Sequence, residues 1–284
     1  MSTIALVTGA SRGAGRGIAC ALGSHGATVY VTGRSETSQD HPLPGTIHET
    51  AQAVTEAGGK GIAVRCDHGD DRQVEALFQR IEAESGRLDI CVNNAAAIYD
   101  ELTTPGNFWE KPLKLADIID VGIRSSYVAS WHAARMMVPR GRGVIAFTSA
   151  SGAAHYVYGP GYGTHKAGVD KMAFDMGVDL AGTGVIALSV WMGGLLTDRM
   201  KAMIAAESEK YGYLNDRLET PEFTGHVLWA IAQDPGNAKY LGHTIIGAEV
   251  AREYGILDAG GRQPPSYRES DNVWPLQQFE RVIR

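Results

Sequence analysis

Residues Thr3–Gly15 have the sequence Thr-Ile-Ala-Leu-Val-Thr-Gly-Ala-Ser-Arg-Gly-Ala-Gly. The apolar, β-branched run Thr3–Val7 predicts a strand, and helix-compatible residues follow the glycines. Gly9, Gly13 and Gly15 allow a sharp turn that a pyrophosphate can approach, and the next helix offers it free N–H groups and a positive dipole end. The spacing differs from that of the commonest dinucleotide fingerprint, and such a turn can be purely structural. Its position after the first strand favours phosphate binding.

A second pattern places a phenol beside an ammonium. Tyr162 and Lys166 are four residues apart, so on a helix they share one face. A nearby cation favours the phenolate, so we expect Lys166 to lower the tyrosine pKa from about 10 and to make Tyr162 a general acid or base. Ser149 ends an apolar, strand-like run, and its hydroxyl can hold a substrate oxygen beside Tyr162. Taken alone, a tyrosine and a lysine at this spacing are more often a solvated helix face.

Strand-like runs alternate with helix-like runs along the whole chain, which predicts a parallel sheet covered by helices on both faces. The predicted strands are Thr3–Val7, Thr28–Thr32, Gly61–Arg65, Leu88–Val92, Val144–Phe147, Val185–Val190 and His243–Ile246. A doubly wound order places the ligand crevice at the carboxyl ends of the strands, where both patterns lie. We therefore predict an α/β fold with a Rossmann-type sheet of seven strands, as a single domain over residues 1–284.

The bulk properties argue against several classes of protein. The net charge of −6 argues against a nucleic-acid partner. No apolar run approaches the roughly 18 residues that span a bilayer, and a first strand at residue 3 leaves no room for a signal peptide. Cys20, Cys66 and Cys91 lack metal-ligand spacing, so we expect reduced thiols and no metal site. We expect a soluble, cytoplasmic protein.

The motifs together resemble the short-chain dehydrogenase/reductase family over nearly the whole chain. They occur in the family's order: the glycine turn, Asp67 after the third strand, Asn93-Asn94-Ala95-Ala96 after the fourth, Ser149, Tyr162 with Lys166, and Gly193 to Thr197 after the sixth. Each motif is common alone, but the combination is specific. A closer likeness to one subgroup rests on Phe108-Trp-Glu and Ala251-Arg-Glu-Tyr-Gly255.

The resemblance implies hydride transfer between a nicotinamide cofactor and a carbonyl or alcohol carbon of a small molecule. It implies Ser149, Tyr162 and Lys166 as the catalytic residues. The implied cofactor-binding residues are Gly9, Ser11, Arg12, Gly13, Ala14, Gly15, Arg34, Asp67, Asn93, Tyr162, Lys166 and Thr197. Asp67 matches the family's adenine contact, Asn93 a residue that steadies the central strand, and Thr197 the residue that contacts the carboxamide.

The end of the second strand distinguishes NADP from NAD. An acidic side chain there would bind the 2′-hydroxyl of NAD and repel the 2′-phosphate of NADP. The sequence has Gly33 and Arg34 instead, and the planar cation of Arg34 suits a phosphate. Arg12 adds a second cation. Each arginine alone could be a solvated surface charge, but this does not account for the missing acid, so we predict NADP(H).

Two positions depart from the family pattern. Gly122 stands where many members have an asparagine that completes a proton relay, so the relay is either water-only or rebuilt from a neighbour such as Ser125 or Ser126. Met192 replaces the proline before Gly193, and we expect a looser carboxamide contact or lid hinge. Neither change removes an acid, a base or a nucleophile.

Several segments have predicted roles outside the catalytic motifs. The resemblance implies a substrate lid at about residues 195–220, and the chain ends in an extension at about 248–284, whose last stretch, Ser270–Arg284, packs on a partner subunit or frays. The family pairs two helices, Leu115–Val138 and Gly161–Leu180, which implies a homo-oligomer, a dimer or a tetramer. Apolar Val128, Trp131, Met172 and Phe174 would supply the contact, or would point into the protomer's own core. The residues between Ser149 and Tyr162, namely His155, Tyr156 and Tyr158, either line the pocket or simply pack.

Two other hypotheses remain open. One is a cofactor-binding regulatory or structural protein with little turnover, which only Gly122 and Met192 favour and which the intact Ser149, Tyr162 and Lys166 oppose. The other is an NAD-dependent alcohol dehydrogenase, which needs an acid near the end of the second strand.

Overall fold

Seven strands form one sheet, which confirms the predicted fold class. They are β1 (Ile4–Val7), β2 (Thr28–Gly33), β3 (Lys60–Arg65), β4 (Ile90–Asn93), β5 (Gly143–Ser149), β6 (Val185–Trp191) and β7 (Thr244–Ile246). They lie in the order β3-β2-β1-β4-β5-β6-β7, and all neighbours are parallel. This order is doubly wound, with its switch point between β1 and β4. The computed structural model describes residues 2–279 and 281–283.

Helices cover both faces of the sheet. They are α1 (Gly13–Ser24), α2 (Ile47–Glu56), α3 (Asp71–Ser85), α4 (Ser125–Met137), α5 (Pro160–Leu180), α6 (Asp198–Ala206), α7 (Ser208–Tyr211), α8 (Phe223–Gln233), α9 (Gly247–Glu253) and α10 (Tyr267–Ser270). One core joins the sheet to α1, α2 and α8, and a second joins it to α3, α4 and α5. Residues of β1 alternate between these cores, since Ala5 and Val7 belong to the first and Ile4 and Leu6 to the second. A central parallel strand buried on both faces explains the continuous apolar run.

The loop between β2 and α2 ends in a capping box. The Thr46 hydroxyl accepts a hydrogen bond from the Glu49 amide, and the Glu49 carboxylate accepts one from the Thr46 amide. These bonds satisfy two backbone donors at the start of α2, as the Thr-x-x-Glu pattern indicates. In the same way, the Asp70 carboxylate accepts from the Arg72 amide and begins α3.

The segment after β6 is helical and irregular. It contains α6, α7 and a short 3-10 turn at Gly212–Asp216. Its two ends are joined to each other, since the Leu196 amide donates to the Glu219 carbonyl and the Glu219 amide donates to the Gly194 carbonyl, both at 2.8 Å. The two ends of the predicted lid segment are thus hydrogen-bonded to each other.

The end of the chain carries exposed apolar side chains. Trp274, Leu276 and Phe279 follow α10 without a described helix or strand. Their packing on a partner subunit stays a prediction. No helix among the described residues is long and apolar enough to cross a membrane.

Candidate active site

The glycine turn after β1 is packed on one side and open on the other. Gly9 has a φ of +63°, and a Cβ there would lie 2.7 Å from the Ala95 Cα, so glycine is required. Gly13, with a φ of +55°, faces the open side, where the nearest atom to such a Cβ is the Thr197 Cγ2 at 4.0 Å. Among the described residues, no side chain caps the start of α1, which leaves its first amides for an anion. The turn therefore fits a pyrophosphate.

Hydrogen bonds from the loop after β4 hold this turn. The Asn94 side-chain amide donates to the carbonyl oxygens of Thr8 and Gly9, each at 3.0 Å. The Thr8 hydroxyl accepts from the Asn94 and Ala95 amides, each at 2.9 Å. Sequence reasoning missed Thr8 and Asn94 as supports of the turn. Both residues lie inside motifs that the sequence analysis quoted, and that position was their signal.

Asn93 has the structural role that the resemblance implied. Its side-chain amide donates to the Ser130 hydroxyl at 3.0 Å and to the Ala146 carbonyl at 3.4 Å. These bonds tie β4 to α4 and β5. Within the described part of the chain, its Oδ1 is buried without a hydrogen-bond partner.

Arg12 is engaged by the loop that follows β2. Its Nε donates to the Pro44 carbonyl at 3.0 Å, and its Nη2 donates to the Gly45 carbonyl at 2.7 Å and to the Ser35 hydroxyl at 3.0 Å. Burial and then the charge of Arg34 lower the pKa of Arg12, so the two cations lie close enough to repel. These hydrogen bonds of Arg12 hold the loop in place, a role that the sequence did not predict.

Arg34 is exposed at the carboxyl end of β2. Its Nη1 lies 3.9 Å from the Asp67 Oδ2, with 60% of the arginine side chain and 35% of the aspartate side chain exposed. The Asp67 Oδ1 accepts from the Gly69 amide at 3.0 Å. An ion pair this exposed and this long holds its partners weakly. The Arg34 guanidinium can therefore turn toward a ligand phosphate.

Tyr162 and Lys166 lie one turn apart on α5, as predicted. The Lys166 Nζ is 5.5 Å from the centroid of the Tyr162 ring and donates to the Thr148 carbonyl at 3.1 Å. Burial lowers the pKa of Lys166 to about 8, which nearby Asp170 partly opposes. Burial raises the pKa of Tyr162 above its ordinary value, and the tyrosine neighbours add to this rise. The pKa of Tyr162 is therefore raised in this structure, and not lowered as the spacing predicted, because burial disfavours the phenolate.

Ser149 ends β5 and is fully buried. Its hydroxyl donates to the Lys166 carbonyl at 3.3 Å and lies near Asp170, whose pKa it helps to lower. Asp170 accepts hydrogen bonds from the Ser189 hydroxyl and, at 2.7 Å, from the Trp191 indole. Burial raises the Asp170 pKa, and these hydrogen bonds oppose the rise. A buried polar cluster thus fastens β5 and β6 to α5 beneath the catalytic pair.

The turn after β5 supports the Tyr162 ring. A Cβ at Gly152 would lie 2.7 Å from the Tyr162 Cε1, so the ring packs directly on this backbone. The Tyr158 ring meets the Tyr162 ring edge-to-face at 5.4 Å. The His155 Nε2 and the Ser151 hydroxyl are hydrogen-bonded at 3.0 Å. Tyr158 therefore contacts Tyr162, the candidate acid or base. The sequence alone had not decided whether Tyr158 lines the pocket or simply packs.

Gly122 lies in the π-helical turn Ile119–Arg124 that leads into α4. The Ser126 hydroxyl donates to the Gly122 carbonyl at 2.6 Å, and the Ser125 hydroxyl donates to the Val121 carbonyl. Both serines that could rebuild a relay, at the start of α4, are thus bound to carbonyls of the π-helical turn before it.

Two residues after β6, Met192 and Thr197, have hydrogen bonds that fix the start of this segment. The Met192 amide donates to the Ser149 carbonyl at 3.2 Å, a bond that proline cannot make. The looser carboxamide contact or lid hinge expected from the lost proline stays a prediction. The Thr197 hydroxyl accepts from the Met200 amide at 3.2 Å and caps α6, so its methyl group faces the glycine turn.

Sequence comparison with known proteins points to the family that the motifs resemble. The sequence profile described as short chain dehydrogenase matches residues 3–208. Dehydrogenase/reductase SDR family member 1 of Mus musculus is 37% identical over 275 residues, 93% of this chain and 85% of the mouse protein. The Homo sapiens protein of that name is 36% identical over 281 residues, 95% and 87% of the two chains.

Solved structures agree with these sequence matches. A short chain dehydrogenase from Mycobacterium thermoresistibile superposes with a TM-score of 0.74 at 26% identity and covers 93% of this chain and 92% of its own. Proteins of this family are oxidoreductases that use a nicotinamide cofactor, NAD or NADP. The match in sequence over most of the chain, on the same kind of sheet, shows that this chain belongs to the short-chain dehydrogenase/reductase family.

Proposed function

We propose that the protein is an NADP(H)-dependent oxidoreductase that interconverts a carbonyl and an alcohol on a small molecule. One observation carries this proposal. Tyr162 and Lys166 lie one turn apart on α5. The Tyr162 ring packs against the Gly152 backbone, and the Lys166 ammonium lies 5.5 Å from the centroid of that ring. Buried titratable groups with shifted pKa values, placed in a ligand crevice, are typical of catalytic sites.

In the proposed mechanism the nicotinamide supplies the hydride, and the protein handles the proton and the geometry. Tyr162 gives its phenolic proton to the carbonyl oxygen in reduction and takes it back in oxidation. The ammonium of Lys166 lies near the Tyr162 phenol and stabilises its phenolate form. Ser149, at the base of the site, positions the substrate oxygen if its hydroxyl turns from the Lys166 carbonyl. Acid–base catalysis by a positioned side chain typically contributes about 10²–10⁴-fold.

The cofactor preference rests on the end of β2. Positions 33 and 34 are glycine and arginine rather than an acid, and the Arg34 guanidinium is exposed with a 3.9 Å ion pair to Asp67. Arg12 lies close enough for its pKa to be lowered by the charge of Arg34. A dianionic 2′-phosphate between two repelling cations would relieve that repulsion, whereas the hydroxyl of NAD would not. The arrangement therefore favours NADP(H).

The test is consumption of NADPH with a panel of ketones, quinones, α-diketones and aldehydes. We expect turnover of at least one class, its loss in Tyr162→Phe, and its retention in Tyr254→Phe. Tyr254 is a matched control because its phenol binds Asp234 at 2.6 Å, next to α8. Tight NADPH binding without turnover across the panel would instead favour a regulatory or structural protein. Faster turnover with NADH would contradict the cofactor assignment.

A further inference from the structure

The helix α10, near the end of the chain, brings a second aromatic residue to the active-site edge. The Tyr267 ring packs edge-to-face on Trp191, with 6.2 Å between centroids and 86° between planes. Trp191 is the register partner of Ser149 across β5 and β6. Tyr267 therefore lies at the sheet edge that carries the candidate catalytic residues. Ala153, the neighbour of the glycine under the Tyr162 ring, packs against the same buried cluster around Trp191 as Tyr267 does.

Polar contacts fasten this helix to α9. Ser266, which is fully buried, donates its hydroxyl to Glu249 at 2.6 Å and caps α10 by accepting from the Arg268 amide at 3.1 Å. Arg252 binds both carboxylate oxygens of Glu269, at 2.5 and 2.6 Å. A bidentate pair of this kind fixes orientation as well as distance. The terminal extension thus holds Tyr267 in one place.

Tyr158 reaches the site from the other direction with a strained backbone. Its φ is +58°, which a bulky residue rarely adopts. Its ring meets Tyr162 at 5.4 Å and 77°, and 47% of the residue remains exposed. Backbone strain of this kind clusters at active sites and ligand clamps, where it is part of the function. The ring is therefore held against the catalytic phenol with one side open to a ligand.

Tyr158 and Tyr267 both affect the ionisation of the Tyr162 phenol. After burial, first Tyr267 and then Tyr158 raise the pKa of Tyr162. Tyr158 also raises the pKa of Tyr267. The ring contacts agree with this, since Tyr158 meets Tyr162 directly and Tyr267 packs on Trp191 together with the turn that follows Gly152.

We propose that Tyr158 and Tyr267 form two aromatic walls of the substrate pocket, and that they select carbonyl compounds whose carbonyl carbon is attached to a flat, conjugated ring. The proposal rests on the function proposed above and specifies its substrate class. A flat ring can lie against one aromatic face and meet the edge of another, which are the preferred geometries of aromatic pairs. A puckered ring of equal carbon number cannot do so. Tyr267 would make the terminal extension part of the substrate site.

The test compares acetophenone with cyclohexyl methyl ketone, which share a carbon skeleton and differ in ring flatness. The measured quantity is the ratio of their kcat/KM values with NADPH. We expect Tyr267→Ala and Tyr158→Gly each to lower this ratio by about 2–10-fold, the range that an aromatic pair contributes. Glycine relieves the positive φ at position 158, so that variant keeps its fold. Tyr267→Phe retains the ring, and we expect it to keep the wild-type ratio.

Binding separates this proposal from the proposed function. Saturation-transfer NMR with both ketones, with and without NADP, gives the ratio of dissociation constants without any turnover. If no ketone turns over but the flat ketone binds better and both ring-removing variants lose that preference, the aromatic walls stand and the proposed activity fails. If the variants keep the wild-type ratios in rate and in binding, the aromatic walls are refuted. Loss of the preference in Tyr267→Phe would also refute stacking as its cause.

Discussion

The imidazole of His165 fills the space that a side chain at Gly122 would need. A Cβ at position 122 would lie 2.8 Å from both the Cδ2 and the Nε2 of His165, which is closer than real Cβ contacts. His165 is buried, and burial lowers its pKa to about 3, so the ring is neutral. The glycine in the π-helical turn and the histidine on α5 are thus a matched pair. The departure from the family's asparagine at this position has a steric cause on the neighbouring helix.

We predict that Gly122→Asn destabilises the protein by about 1–3 kcal/mol, the usual cost of overpacking. His165→Ala removes the obstructing ring, so the double variant should be more stable than the sum of the single changes predicts. Urea unfolding of the four proteins measures this coupling. Gly26→Asn is the control, since no described atom lies within 4 Å of a Cβ at that site and asparagine tolerates a positive φ. Additive losses would mean that His165 does not set the residue at position 122.

Tyr162→Phe should abolish turnover and leave NADPH affinity nearly unchanged, because the phenolic oxygen is assigned to proton transfer. Lys166→Ala should reduce both, since the ammonium is assigned to the phenol and to the cofactor ribose. Steady-state kinetics and cofactor fluorescence titration separate the two effects. Near-normal activity of Tyr162→Phe on a confirmed substrate would refute the assignment.

Arg34→Ala should weaken NADPH by about 1.5–3 kcal/mol, the range for a hydrogen bond to a charged group, and barely affect NADH. Titration calorimetry with both cofactors measures this selectivity. Arg80→Ala removes the same charge from α3, where Arg80 pairs with Glu84, and should change neither affinity. Equal weakening of both cofactors by Arg34→Ala would mean that the arginine does not contact the 2′-phosphate.

Glu219 should make stability fall as pH rises. Burial raises its pKa to about 8 from an ordinary 4.5, while the nearby Gly193 backbone and the Thr224 hydroxyl, which donates to its Oε1 at 3.3 Å, oppose the rise. Between these values the folded protein keeps a proton that the unfolded chain has lost. This contribution to stability is therefore complete below about pH 4.5 and declines toward pH 8, with a slope of at most about 1.4 kcal/mol per pH unit.

Glu219→Gln imitates the protonated carboxyl and should remove this slope. Urea unfolding of both proteins at several pH values gives the difference, in which the other titrating groups cancel. Parallel curves for the two proteins would show that Glu219 ionises with an ordinary pKa.

We predict a dimer or tetramer that forms through α4 and α5. Trp131 on α4 is 48% exposed and Tyr127 beside it is 56% exposed, whereas Val128 and Met172 pack partly against the protomer's own core. Trp131→Ala should lower the mass measured by light scattering at micromolar concentration. Trp109→Ala is the matched control, because this tryptophan is 69% exposed outside both helices. A monomeric wild-type protein would contradict the prediction.

Local patterns predicted the fold well. The run Thr3–Val7, the glycine turn and the capping box at Thr46 are set by neighbouring residues, so the sequence displays them directly. The pairing of Tyr162 with Lys166 is equally local, because a four-residue spacing on a helix fixes it.

The energetics of the site could not be predicted in this way. The pKa of Tyr162 depends on burial and on Tyr267, which lies far along the chain. The bonds of Arg12 to the loop after β2 and the contact of His165 with Gly122 likewise join separate segments. Such contacts exist only after the sheet has formed, and no spacing rule anticipates them.

The hydrogen bonds that join the two ends of the segment after β6 affect how much this segment can vary in sequence and length. Gly194 and Leu196 at one end are hydrogen-bonded to Glu219 at the other, so the chain leaves and re-enters the fold at nearly the same place. Insertions between these points add little loop-closure entropy, which grows only slowly with length. The segment can therefore change in length and sequence while the sheet, the glycine turn and Tyr162 stay fixed.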